Sequence, residues 1–223
     1  MAEIRNILFP TDFSEHSNGA FPHAAALAQA FGARIVMLHV AELEEADPAN
    51  PEHSFPALDA YTGEVERVMV RGHAPYKDIL EAVRSRSCDL VVMATHGRSE
   101  VAQFFLGRSV AEDVARYSEV PVFIVPVNDG AAAGSPGRFG RILVAGSGAA
   151  RAHADALAQK FGSEVQEAGS ADPDDVVRLA REQGADLIVV GEGRGGSVRD
   201  EVLGTPADRV IQNAHCPVMT VRG

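Results

Sequence analysis

Ile79–Gly107 reads ILEAVRSRSCDLVVMATHGRSEVAQFFLG, and Val176–Gly204 reads VVRLAREQGADLIVVGEGRGGSVRDEVLG. Asp89 falls on Asp186, Leu90 on Leu187 and Gly107 on Gly204, all at an offset of 97. One missing residue then changes the offset to 96, which puts Ser109 on Thr205, Val114 on Val210 and Pro121 on Pro217. Upstream, HAAALAQAFGA at His23–Ala33 matches HADALAQKFGS at His153–Ser163 at an offset of 130. The chain is therefore two copies of one unit, the second shorter than the first. The expected division is residues 1–127, a linker at 128–137 and a degenerate second copy at 138–223. The segment between them, from Asn128 to Gly137, is small and turn-rich, the composition of a flexible linker.

Working outward, each copy alternates short apolar runs with helical patterns. In the first, strands are expected at Ile4–Pro10, Arg34–Val40, Val65–Val70, Leu90–Ala94 and Val120–Val125. An Ala-rich helix, capped at Ser14 or Ser17, ends near Gly32; further helices cover Tyr76–Arg86 and part of Ala102–Arg116. The acidic, proline-broken stretch from Glu42 to Thr62 reads as a loop. Val65–Val70 alternates enough to be an edge strand. The second copy repeats the pattern with parts missing: strands at Arg141–Ala145, Glu164–Ala168, Leu187–Val190 and Val218–Val221, and a helix at Asp174–Gln183. Strand and helix in alternation specify a doubly wound α/β fold, a parallel sheet with helices on both faces.

The 223 residues carry 31 acidic against 20 Lys and Arg, a formal charge of −11. That balance disfavours nucleic acid and anionic membrane as partners, because both need a basic face. No apolar run approaches the ~20 residues that cross a bilayer, and no export signal stands at the N-terminus. The two cysteines, Cys88 and Cys216, lack metal-ligand spacing, so a reducing cytoplasm is the expected compartment. Both are expected as buried small hydrophobes. No trio of His, Cys, Asp or Glu has ligand spacing either, so no structural metal is expected.

Ligands of such sheets bind beyond the carboxyl ends of the strands. Two features fall there: Phe9-Pro-Thr-Asp12-Phe-Ser after the first strand, and Ala94-Thr-His-Gly97 after the fourth, continuing to Leu106-Gly107-Arg-Ser109. A glycine turn presents backbone amides, the following helix N-terminus favours an anion, and a serine hydroxyl can donate to a phosphate oxygen. Asp12 can accept from an adenine amino group or a ribose hydroxyl. Gly191-Glu-Gly193-Arg-Gly-Gly196 satisfies G-x-G-x-x-G, but it does not follow a first strand and no acidic residue closes the next one. It reads as a glycine-rich turn. There is no P-loop, and Asp12, Ser14 and His16 do not form a nucleophile elbow. His39 reads as a satisfied core histidine, and the matched His23 and His153 as packing or capping residues. Phe104, Phe105 and Leu106 read as core.

ILFPTDFSE at the first strand, LHV at Leu38–Val40, and MATHGRS…FLGRSVAEDV…VPVFIV resemble the universal stress protein family over nearly all of both copies. The resemblance implies an adenine-nucleotide alpha-hydrolase-like sheet of order 3-2-1-4-5, with ATP at the switch between strands one and four. It implies pairing through the fifth strands, here joining the two copies of one chain as a pseudo-dimer, with a further homodimer open. Nucleotide-binding members carry Gly-x2-Gly-x9-Gly-Ser/Thr after the fourth strand.

Carried across, Pro10, Thr11 and Asp12 stand on the adenine side, Val40 lines the slot, and Met93 precedes the motif. Ala94 replaces the first motif glycine, Gly97 is the second and Gly107 the third, followed by Arg108 and then Ser109. His96, Arg98 and Val110 border the phosphates. The copy alignment makes Arg108 an insertion, leaving the hydroxyl's task to Ser109; Arg108 either grips a phosphate or points to solvent. In the second copy Ser147 replaces Asp12, Arg194 or a slipped Gly193 stands at the second glycine, and Gly204-Thr205 match the end. ATP bound in the first copy, in a stress-response protein without a strong catalytic cycle, is the implied function; a non-nucleotide interaction module of the same fold is the alternative. Residues 1–127 carry −8 of the charge, so phosphates rely on local amides, with Arg98 or Arg108 as nearby cations.

Overall fold

The computed structural model describes residues 3–41, 55–95, 109–128, 131–132, 135–146, 148–192 and 205–223. The first repeat runs β1 (Asn6–Pro10), α1 (Glu15–Phe31), β2 (Arg34–Ala41), α2 (Pro56–Asp59), β3 (Val65–Arg71), α3 (Pro75–Ser85), β4 (Leu90–Ala94), α4 (Val110–Tyr117) and β5 (Val122–Val125). After β6 (Val127–Asn128) and β7 (Ala131–Ala132), the second repeat runs β8 (Arg141–Ala145), α5 (Ala149–Phe161), β9 (Glu164–Glu167), α6 (Pro173–Gln183), β10 (Leu187–Glu192), α7 (Pro206–Asn213) and β11 (Val218–Arg222).

Local chemistry sets these boundaries. The Ser14 hydroxyl accepts from Ser17 N to start α1, and Gly32, at φ 68, ends it by donating to Ala28 O. The matched Gly162, at φ 70, ends α5 by donating to Ala158 O. Asp172 accepts from Asp174 N and Asp175 N ahead of Pro173, which opens α6. β1, β4, β5 and β8 are apolar runs because helices cover both of their faces.

One nine-stranded sheet results among the described residues, in the order β3-β2-β1-β4-β5-β11-β10-β8-β9. The first repeat keeps the order 3-2-1-4-5, with β3 at the rim as its alternation indicates. The second gives the same order read outward from β11, without a third strand. Neighbours are parallel except at the seam, where β5 and β11 run antiparallel with Phe123 opposite Met219, Val122 opposite Thr220 and Ile124 opposite Val218. Phe123 and Met219 are 96 residues apart, the offset that relates the repeats, so an approximate twofold axis passes between them.

Two apolar layers flank the sheet. Ile7, Phe9, Val92 and Phe123 face α1 and α5; Leu8, Val91, Val122 and Ile124 face α3, α4, α6 and α7. Both layers draw on both repeats, so each runs unbroken across the seam. Phe123 packs edge-on against Phe139, with centroids 5.7 Å apart, and Phe139 packs likewise on Phe161 at 4.9 Å.

Two readings need correction. The segment from residue 128 is not all free chain: Val127 pairs with Ala132 and Asn128 with Ala131, and further on Phe139 is buried. Alanines and glycines look like linker because neither ladder hydrogen bonds nor docking onto α1 leaves a mark in composition. Between Glu42 and Thr62, residues 42–54 lie outside the described residues, but Phe55 and Leu58 are buried and Pro56–Asp59 forms a single helical turn. A protease site inserted between β6 and β7 should, after cleavage, leave the halves co-eluting on gel filtration; their separation would mean that the seam depends on the connection.

Candidate functional site

The strand order reverses direction at β1, so the carboxyl ends of β1, β2 and β4 border a crevice. Pro10 lies opposite Leu38 in the β1–β2 ladder, so continuing the register brings Val40 level with Asp12. On the other side Ile7 lies opposite Leu90 and Leu8 opposite Val91, which brings Met93 level with Pro10 and Ala94 with Thr11. Val40 is half-buried; Thr11, Met93 and Ala94 are buried.

Asp12 is fixed by its own chain. Its Oδ1 accepts from Ser14 N at 3.0 Å, Ser14 Oγ at 2.6 Å and Ser17 Oγ at 2.5 Å. This orients the carboxylate at the mouth of the crevice. Phe13 makes the turn possible by taking φ 60, a left-handed conformation that costs a non-glycine residue roughly 1–2 kcal/mol. Its ring lies 4.8 Å from the His39 ring, and His39 Nδ1 is 2.8 Å from Thr11 O. His39 is thus the buried, bonded histidine that its apolar strand indicates. Phe13 and its ring contacts were not legible beforehand, since nothing in a TDFS sequence announces positive φ.

Ala94 sits in β4 opposite Val125 and is not among the positive-φ residues, which among the described non-glycines are Phe13 and Ser87. Its methyl group therefore meets no backbone strain. Ser109 is the N-cap of α4: its hydroxyl accepts from Glu112 N at 3.3 Å, and its own N–H donates to Glu112 Oε2 at 3.0 Å. Thr205 caps α7 identically with Asp208. The matched caps place Ser109 and Thr205 at equivalent positions. Val110 begins α4. His96, Gly97, Arg98, Gly107 and Arg108 lie outside the described residues, as do Ser147, Gly193, Arg194 and Gly204. Glu112 was missed as a site-shaping residue, although S-x-x-E after a glycine turn is a readable cap signal.

At the equivalent strand ends the second repeat has Gly146 and Gly191 in place of Thr11 and Ala94. Gly146, at φ 115, lies so close to Gly191 that a Cβ on it would meet Gly191 Cα and N at 3.2 Å. Beyond β9 the chain turns through Ser170, which donates to Asp175 Oδ2, and enters α6 directly. The strand that completes the first repeat's rim, β3, has no counterpart among the described residues of the second.

Elsewhere the chemistry is quiet. Burial pushes the Cys88 thiol up to about 11 and the Cys216 thiol up to about 12, so both free thiols are poor nucleophiles. His23 is fully buried beside Phe123 and Phe139, and His153 Nδ1 meets Ala149 O at 2.7 Å; both serve packing or capping. Among the described residues no cluster of three or more His, Cys, Asp or Glu is placed to hold a metal, and no helix is long and apolar enough to cross a membrane.

Two copies of a doubly wound α/β unit, joined in one sheet across an antiparallel seam, define a tandem α/β protein. The chain belongs to the universal stress protein family, whose model matches residues 3–126 and again 131–222. A universal stress protein of Archaeoglobus fulgidus has the same fold: TM-score 0.76, 21% identity, covering 97% of this chain and 96% of that one. A universal stress protein of Thermus aquaticus is 31% identical over 140 residues, covering 55% of this chain and 98% of its own length, so about half of this chain spans nearly the whole relative. A universal stress protein solved in complex with cAMP is 24% identical, with TM-score 0.45, covering 56% of this chain and 98% of its own.

Proposed function

We propose that the first repeat binds an adenine nucleotide, ATP by family resemblance, and that the second repeat supports it without a nucleotide site of its own. One observation carries this reading. Asp12, Val40 and Ala94 stand together at the carboxyl ends of the three strands where the sheet order reverses, with Asp12 already oriented by Ser14 and Ser17. The described residues fit such a ligand. Val40, half-buried, offers apolar surface to a base, and Asp12 an acceptor. Ser109 Oγ, which accepts from Glu112 N, still has its proton to donate to a phosphate oxygen. Mg²⁺ is expected to arrive on the phosphates. No general base is assigned, so ATP turnover should stay at background. The role proposed is stress-response signalling in the cytoplasm.

A second reading, an interaction module without nucleotide, is favoured by one fact: the carboxylate of Asp12 and the cap at Ser109 are both satisfied within the chain. Calorimetric titration with ATP separates the two. The native chain should bind one nucleotide, and Asp12→Ala should weaken binding roughly ten- to a hundredfold, the worth of a hydrogen bond to a charged group. Absence of nucleotide in the purified protein, together with a flat titration, would sink the nucleotide reading.

A further inference from the structure

The cap of α4 does not end within its own repeat. Glu112, 5% exposed, gives Oε2 to Ser109 N and receives at Oε1 a hydrogen bond of 2.7 Å from Gln212 Nε2, on α7 of the second repeat. The reciprocal contact runs the other way. Arg116 on α4 donates to Asp208 Oδ2 at 2.5 Å, and Asp208 Oδ2 also accepts from Thr205 N at 2.6 Å. Glu112 matches Asp208 and Arg116 matches Gln212 at the offset of 96, so these are two copies of one contact across the pseudo-twofold axis. They differ in charge: the second repeat's cap is tied across the seam by a guanidinium, the first repeat's by a neutral amide.

We propose that Gln212 is a positioning residue for the phosphate end of the first repeat's site: it fixes Glu112, and Glu112 fixes Ser109. The step from Ser109 to nucleotide rests on the function proposed above; the step from Gln212 to Ser109 does not. Among the described residues each carboxylate oxygen of Glu112 has one partner, so losing the amide frees Oε1 from that contact and lets the carboxylate swing. Ser109 N–H then loses a fixed acceptor, and the first turn of α4 opens more often. The neutral amide has a second effect. It brings no countercharge across the seam to Glu112, whereas an arginine in its place would, as Arg116 does for Asp208.

Gln212 is itself exposed, so its variants should fold. Two are informative: Gln212→Leu removes the donor, and Gln212→Arg copies the contact that the protein already makes at Arg116. Amide hydrogen exchange without ligand tests the physical link. Gln212→Leu should speed exchange at Ser109 roughly fivefold, the worth of one hydrogen bond, while Gln212→Arg should leave it at or below the native rate. Calorimetry with ATP tests the consequence: weaker binding for Gln212→Leu and tighter binding for Gln212→Arg, whereas a merely structural role would move melting temperatures and leave affinity alone. Native exchange at Ser109 in Gln212→Leu overturns the proposal whatever ATP does. Accelerated exchange with no ATP binding by any of the three proteins upholds the link and removes the nucleotide reading. Equal affinities in all three proteins would overturn the positioning role.

Discussion

Arg116→Met should lower the thermal midpoint by roughly 6–20 °C, the result of removing one partner of a buried pair (~3–5 kcal/mol) from a domain of this size. The side chains of Arg116 and Asp208 are 9% and 3% exposed, so neither charge is screened by water. Methionine fills much of the space but leaves the Asp208 carboxylate with its cap donor, Thr205 N, and without its countercharge. The second substitution decides the cause. Adding Asp208→Asn keeps an oxygen for the Thr205 cap while removing the stranded charge, and should recover most of the loss. A single variant that melts within about 1 °C of the native chain would mean that the pair is idle in the folded state. The defect should also be global, because α4 and α7 belong to different repeats.

Phe123→Ala should cost about 3–5 kcal/mol, the usual range for deleting a buried phenyl ring. The site has little freedom to collapse. Phe123 is fully buried at the centre of the seam, opposite Met219, edge-on to Phe139 and beside the His23 ring at 6.0 Å. Chemical denaturation should show a lower midpoint in one cooperative transition. If the halves unfolded in two steps in the native chain, each repeat would be stable alone and the seam would be an interface, not a shared core. Combined with cleavage between β6 and β7, the alanine variant is the one in which the two pieces should come apart.

The fold was legible because its strands are buried on both faces and therefore appear as unmixed apolar runs: Leu90–Ala94 and Leu187–Val190 are expected within two residues of where they lie. The rim strand β3 was legible for the opposite reason, since one-sided burial leaves alternation. The candidate site was legible at Asp12, where strand end and helix cap coincide, and at Ser109 through the spacing to its partner copy. What escaped were features made by chain segments distant in sequence. Gln212 meeting Glu112 needs the seam register, which no local pattern encodes. The β6–β7 ladder needs two alanines to be read as strand, against their composition. The close approach of Gly146 to Gly191 needs two strand ends to be known as neighbours. Sequence patterns report burial and backbone preference, and these contacts leave both almost unchanged.

Because β5 and β11 belong to one polypeptide, their association is intramolecular, and dilution does not weaken it. A pair of separate copies would have to carry every substitution twice, once on each side of the axis. Fusion removes that constraint. Position 116 is arginine while its counterpart 212 is glutamine, and among the described residues a rim strand is present on one side only. The covalent tie therefore lets the two halves differ at matched positions, because neither has to serve as its own partner.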